Sequence, residues 1–134
     1  MTSHQEIDQR SLALHRLITE KIRQDPRLFE NMKKTLTRWR KIVSVNSQPY
    51  LEEWQRLVDL GIVECLAVAT EDSEQATAMR QASPFCGILT EDEHREFLLE
   101  WTRAGGASEQ EIKELRHKMI EANELLERLN YFEK

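Results

Sequence analysis

Apolar residues recur along this chain three and four positions apart and seldom alternate, which is the spacing of helices buried on one face rather than of strands. Ile7, Leu14, Ile18 and Ile22, widened by Leu17, predict a first helix from about His4 to Gln24. Asp25-Pro26 ends it and starts the next, with Asp25 as N-cap and Pro26 at the first helical position. Leu28, Phe29, Met32, Leu36 and Trp39 mark one face of this second helix, which fades near Ile42 or Val43. Ser44-Val45-Asn46-Ser47-Gln48 reads as a loop. Pro49 opens a third helix with Leu51, Trp54, Leu57 and Val58 inward, and Gly61 closes it. Ile62 to about Thr70 is short and unusually apolar; Glu64, Ala67 and Ala69 favour a buried helix there over a strand.

Asp72 or Ser73 caps a small helix ending near Ala82, and the turn Ser83–Leu89 follows. Thr90 and Glu93 form a capping box for a helix from Glu91 to about Arg103, with Phe97, Leu98 and Trp101 inside. Gly105-Gly106 breaks it. A second capping box, Ser108 and Glu111, starts a long helix to about Tyr131, with Ile112, Leu115, Met119, Ala122, Leu126 and Leu129 at a/d-like spacing. The expected fold is all-α, a compact domain of about seven helices with a long C-terminal one. Residues 1–104 form its core, and 105–134 a Gly-Gly hinge and helix that either pack on the core or serve as an assembly arm.

Composition agrees with that reading. Glycine and proline number four and three among 134 residues, too few for a β-fold rich in tight turns. The opening Met1-Thr2-Ser3-His4-Gln5-Glu6 lacks a basic-then-apolar signal pattern, and no apolar run approaches the ~20 residues of a membrane span. The expectation is a cytoplasmic protein, without a membrane partner, whose Cys65 and Cys86 are reduced thiols. Net charge is −5 but unevenly spread: residues 1–41 carry +5, residues 42–134 carry −10. Two surfaces with different preferences in partner follow from that layout.

The Ser83–Leu89 turn is an uncharged apolar stretch in a chain that is 32% charged. Pro84 drives Ser83 out of the α region, and Gly87 allows backbone angles closed to other residues. Phe85, Ile88 and Leu89 must either bury themselves or face a partner.

Catalytic chemistry finds little to stand on. His4, His15, His94 and His117 lie in four segments without metal-ligand spacing. Cys86 as a nucleophile would need a lowered pKa, with His94 one turn into the next helix as its base. A small apolar residue explains Cys86 with fewer assumptions. Glu91-Asp92-Glu93 is accounted for by the positive N-terminal end of its helix. Phosphate-loop, dinucleotide and nucleophile-elbow patterns are absent from the sequence. No catalytic residue, cofactor or metal is expected. Lys33, Lys34, Arg38, Arg40 and Lys41 form the strongest electrostatic feature, a face that would hold phosphates or simply be solvated. The narrow stripe over 109–131 suits a homodimer.

Several stretches resemble a pattern in the antitoxin halves of small bacterial toxin–antitoxin operons: S-P-F-x-G-[VI]-L-[ST]-x-x-E-R, with an upstream N-L-x-R-W-like helix and a P-x-L-x-E-W segment. Ser83 to Arg95, Thr35-Leu36-Thr37-Arg38-Trp39 and Pro49-Tyr50-Leu51-Glu52-Glu53-Trp54 are the matching stretches. Asp72-Ser73-Glu74 and Met79-Arg80-Gln81-Ala82 fit its E-D-S-E…L-R-Q-S lead-in. The match covers roughly residues 10–103, and His94 stands where the pattern has Glu. The resemblance implies a non-enzymatic cytoplasmic helical protein that binds and silences a toxin. The turn (Pro84, Phe85, Gly87, Ile88, Leu89) with Arg80 and Arg95 would contact that partner, Phe85 foremost. The acidic second half would suit a basic toxin. The alternative is a DNA- or RNA-binding regulator using the basic helix 26–43.

Overall fold

A computed structural model describes residues 3–42 and 45–133, with side chains up to residue 130. Among the described residues the chain forms seven α-helices and no strand: α1 His4–Gln24, α2 Arg27–Ile42, α3 Gln48–Leu60, α4 Ile62–Ala69, α5 Glu74–Arg80, α6 Glu91–Ala104 and α7 Glu109–Glu133. Val43, at the expected end of the second helix, and Ser44, the first residue of the expected loop, lie outside the described residues. The chain divides into two units, Met1–Leu89 and Thr90–Lys134. The division falls before α6 rather than at Gly105-Gly106, because α6 packs on α7 and the glycines turn the chain between them.

In the first unit three helices, α1, α2 and α5, begin where a side chain accepts from a free N–H group. Ser3 Oγ accepts from Glu6 N–H at 3.1 Å, and Ser73 Oγ accepts from Ala76 N–H at 3.1 Å. Asp25 Oδ1 accepts from Arg27 N–H at 3.3 Å at the α1–α2 junction. Gly61 alone joins α3 to α4, at φ 130° and ψ 170°, its N–H donating to the carbonyls of Leu57 and Val58. This backbone region is essentially closed to residues with a Cβ. Gly61→Ala should therefore cost about 1–3 kcal/mol of stability from the backbone alone, the Cβ itself meeting only the flexible Glu64 Oε2 at 3.2 Å. Urea denaturation checks this, and an unshifted midpoint contradicts it.

The core gathers Ile18 and Ile22 of α1, Phe29, Met32 and Leu36 of α2, Leu51, Trp54, Leu57 and Val58 of α3, and Cys65, Leu66 and Ala69 of α4. Met79, Phe85 and Ile88 complete it. Trp54 is fully enclosed and donates its indole N–H to the Met79 carbonyl at 2.9 Å. Leu28 and Trp39 pack at the edge. Helix α1 buries Ile18 and Ile22 as expected, with Leu14 packed beside the core. Ile7 and Leu17 are exposed, and the buried row is Leu12, His15, Ile18, Thr19 and Ile22. Reading only apolar positions misses part of that row, because two of its five members are polar. Helix α5 stops at Arg80, and Gln81 and Ala82 continue as a turn rather than as helix.

The second unit is the hairpin of α6 and α7. Both expected capping boxes form: Thr90 Oγ1 with Glu93 N–H at 3.1 Å, and Ser108 Oγ with Glu111 N–H at 3.1 Å. The carboxylates of Glu93 and Glu111 return to the N–H groups of Thr90 and Ser108 at 2.8 and 3.3 Å. Arg116 grips Glu96 through two bonds of 3.2 and 2.8 Å, tying the helices together. Leu99, not the expected Phe97, Leu98 and Trp101, is the buried side chain of α6. The other three are half-buried, with the Phe97 and Trp101 rings stacked at 6.3 Å. On α7, Ile112 is buried, Leu115 and Met119 are half-buried, and Leu126 and Leu129 are exposed.

Candidate interaction surface: the Ser83–Leu89 turn and the cationic face of α2

The turn is fixed from three directions. Phe85 inserts between Trp54 and His15 in edge-on contacts, ring centres 5.4 and 5.7 Å apart. Lys21 Nζ donates to the Ile88 carbonyl at 2.8 Å. His15 Nδ1 lies 2.7 Å from the Ser11 carbonyl, an atom that only accepts, so Nδ1 carries the proton. The lone pair on Nε2 then accepts from the Ser83 hydroxyl at 2.6 Å. Ser83 Oγ in turn accepts from Phe85 N–H at 3.2 Å, closing the start of the turn on itself. At its tip Gly87 adopts φ 84°, which suits glycine.

Only a neutral imidazole serves both neighbours in this way. Burial is the main force holding the His15 pKa below its ordinary value of 6.5; the Ser11 carbonyl opposes it and the Arg80 charge adds to it. Above pH 6.5 the folded and unfolded chains are both neutral at this residue, and its stabilising contribution is complete. As pH falls below 6.5 the unfolded chain takes up a proton that the folded one refuses. That costs up to about 1.4 kcal/mol per pH unit until the folded pKa is reached. Melting at pH 7.5 and 5.5 should show this loss in the native chain and not in His15→Gln. Equal losses in both would contradict the assignment.

The burial decides which residues of the turn can touch a partner. Phe85 is 1% exposed, and Pro84 and Ile88 are likewise buried. Leu89 is half-buried, and Cys86 and Gly87 face outward. Phe85 is thus a core side chain in this structure, not a presented one. Arg80 is also enclosed: Nη1 donates to the carbonyls of Ala69 and Glu71 at 3.3 and 2.7 Å, and Nη2 donates to Thr77 Oγ1 at 3.2 Å. It clamps the end of α4 to α5. Arg95 belongs to the second unit, where it pairs with Asp92 at 2.9 Å and Glu96 at 3.5 Å. Of the seven residues expected at a partner contact, Gly87 and part of Leu89 reach the surface of the turn.

The basic run lies differently. Lys34, Arg38, Arg40 and Lys41 are exposed and have no acidic partner among the described residues. Lys33 pairs with Glu30 at 3.1 Å and lies over the Phe29 ring at 5.2 Å. Glu30, Lys33, Lys34, Thr37, Arg38 and Lys41 line a shallow groove of about 340 Å³. Cys86, exposed at the tip of the turn, feels the Arg38 charge. Partial burial pushes the Cys86 thiol up, and Arg38 only partly pulls it back. The thiol therefore stays protonated near neutrality, the reverse of what a nucleophile needs. Cys65 is buried and its thiol is pushed up to about 12. No group of three or more His, Cys, Asp or Glu side chains is placed to hold a metal among the described residues, and none of the described helices is long and apolar enough to cross a membrane.

Sequence reasoning missed the His15–Ser83 bond, whose partners stand 68 positions apart. The available signal was His15 itself, spaced between Leu12, Ile18 and Ile22 on one helical face. Compared with protein-family models, curated proteins and solved structures, the chain matches none of them.

Proposed function

We propose that this chain is a non-enzymatic binding module resembling the antitoxin halves of toxin–antitoxin operons, and that its partner face is the cationic side of α2 with the Cys86–Gly87 tip. The observation that carries this reading is the set of exposed cations without acidic partners on α2, a helix with six Lys/Arg and one Asp/Glu. The five helices and turn of that unit are net neutral as a sequence, so this charge is concentrated rather than general. A turn already fixed by core contacts loses little conformational entropy on binding, which favours affinity. Co-expression with the product of the neighbouring gene tests the reading. The native chain should restore growth and the double substitution Lys34→Glu/Arg38→Glu should not. Protection by both would overturn the face, and toxicity unaffected by the native chain would overturn the antitoxin reading. A basic toxin held by the acidic unit Thr90–Lys134 is the case in which the double substitution still protects.

The same cations support a second reading, a DNA- or RNA-binding regulator. Each phosphate contact contributes about 0.9 to the slope of log affinity against log salt for duplex DNA. Lys34→Gln/Arg38→Gln should lower that slope by about 2 and weaken all sequences alike. Absence of binding to the native chain at low salt would remove this reading.

A further inference from the structure

We infer that the C-terminal part of α7 is a self-association surface, pairing antiparallel with the same segment of a second copy of this chain. Helix α6 has 14 residues and α7 has 25. At 1.5 Å per residue, α7 outruns its hairpin partner by about 16 Å. The heptad stripe continues through that overhang. Its first members, Ile112, Leu115 and Met119, are buried or half-buried, whereas Leu125, Leu126 and Leu129 are 55, 57 and 50% exposed.

The chemistry of the overhang favours a copy of itself. With Ile112 at position a, the a, d, e and g positions from 119 to 130 are Met119, Ala122, Asn123, Leu125, Leu126, Leu129 and Asn130. None is charged. The charges of this stretch, Glu121, Glu124, Glu127 and Arg128, all fall on b, c and f, away from the seam. A partner recognised by charge has nothing to pair with here, while a second copy meets no like-charge repulsion. Setting Leu126 opposite Ala122 of the other copy, antiparallel, brings Met119 opposite Leu129 and sets Leu125 and Asn123 each beside its own counterpart. An amide both donates and accepts, so the asparagines pair with each other. Leu125, which lies off the a/d stripe, is covered in this arrangement, whereas a parallel pair would set it against Asn130. The antiparallel arrangement also puts the two α6–α7 hairpins at opposite ends. Such a contact is isologous and closes as a dimer. It is shorter than a standard interface, so dimers should appear at concentrations on the order of 10–100 μM.

Analytical ultracentrifugation of the full chain across that range should show mass rising from 15.8 kDa towards twice that value. Leu126→Glu/Leu129→Glu should stay monomeric with an unchanged melting temperature, since both side chains are exposed. Glu124→Gln, on the back of the helix, should dimerise as the native chain does. In a Cys86→Ser background, Leu125→Cys should cross-link copies under mild oxidation. A native chain that stays monomeric throughout the range, or a double variant that still dimerises, would overturn the surface. A dimer without the Leu125→Cys cross-link would overturn the antiparallel pairing.

Discussion

Phe85→Ala is expected to lower the stability of the folded chain by about 3–5 kcal/mol, the range for removing an enclosed aromatic side chain. Phe85 fills the space between Trp54 on α3 and His15 on α1, and Met79, Ile88 and Leu36 belong to the same core. Alanine would leave a cavity that the surrounding helices close only in part. The Trp54 ring is held by its bond to the Met79 carbonyl, so it cannot freely swing in to fill the gap. Thermal or urea denaturation of the variant checks the figure. Were Phe85 a presented side chain, the loss would be small and would appear in partner affinity instead.

Arg80→Met is the second large effect, a loss of about 2–4 kcal/mol. The guanidinium supplies charge-assisted bonds to the Ala69 and Glu71 carbonyls and to Thr77 Oγ1. Such bonds contribute about 1.5–3 kcal/mol each, and an abandoned buried carbonyl adds its own desolvation penalty. Part of this is offset because methionine no longer holds a charge away from water. Arg80→Lys should recover only part of the loss, since one ammonium cannot reproduce the planar fork that reaches two carbonyls and a hydroxyl. Denaturation midpoints of the two variants measure the difference. Full recovery by lysine would show that charge, not the geometry of the clamp, matters at this position.

Both effects depend on long-range contacts, and they mark where the sequence ceased to be legible. Helix ends were readable because their signals are local. Thr90 with Glu93, Ser108 with Glu111, Ser73 and Gly61 each act within four residues, and each does so in the structure. Which way a helix faces was harder. On α6, Phe97, Leu98, Leu99 and Trp101 spread over more than half of the helix circumference and leave the inward direction open; in the structure Leu99 is the buried one. On α1 the polar His15 and Thr19 entered the buried row. His15 did so because Ser83 and the Ser11 carbonyl satisfy it there. Short-range pattern identified the turn as special but not its polarity. Pro84, Phe85 and Ile88 looked like a docking surface because nothing local shows the cavity between α1 and α3 that receives them.

The division of labour between framework and face is the central claim. Phe85 and Arg80 hold the unit together, while Lys34 and Arg38 meet the partner. The most direct test titrates Lys34→Glu/Arg38→Glu and the native chain against the purified neighbouring-gene product by calorimetry, with a thermal melt of each. The account predicts melting temperatures that agree closely, because both side chains are exposed and neither forms an ion pair among the described residues. It also predicts an affinity at least about tenfold weaker for the variant, roughly 1.4 kcal/mol. Native-like affinity in the folded variant would contradict it.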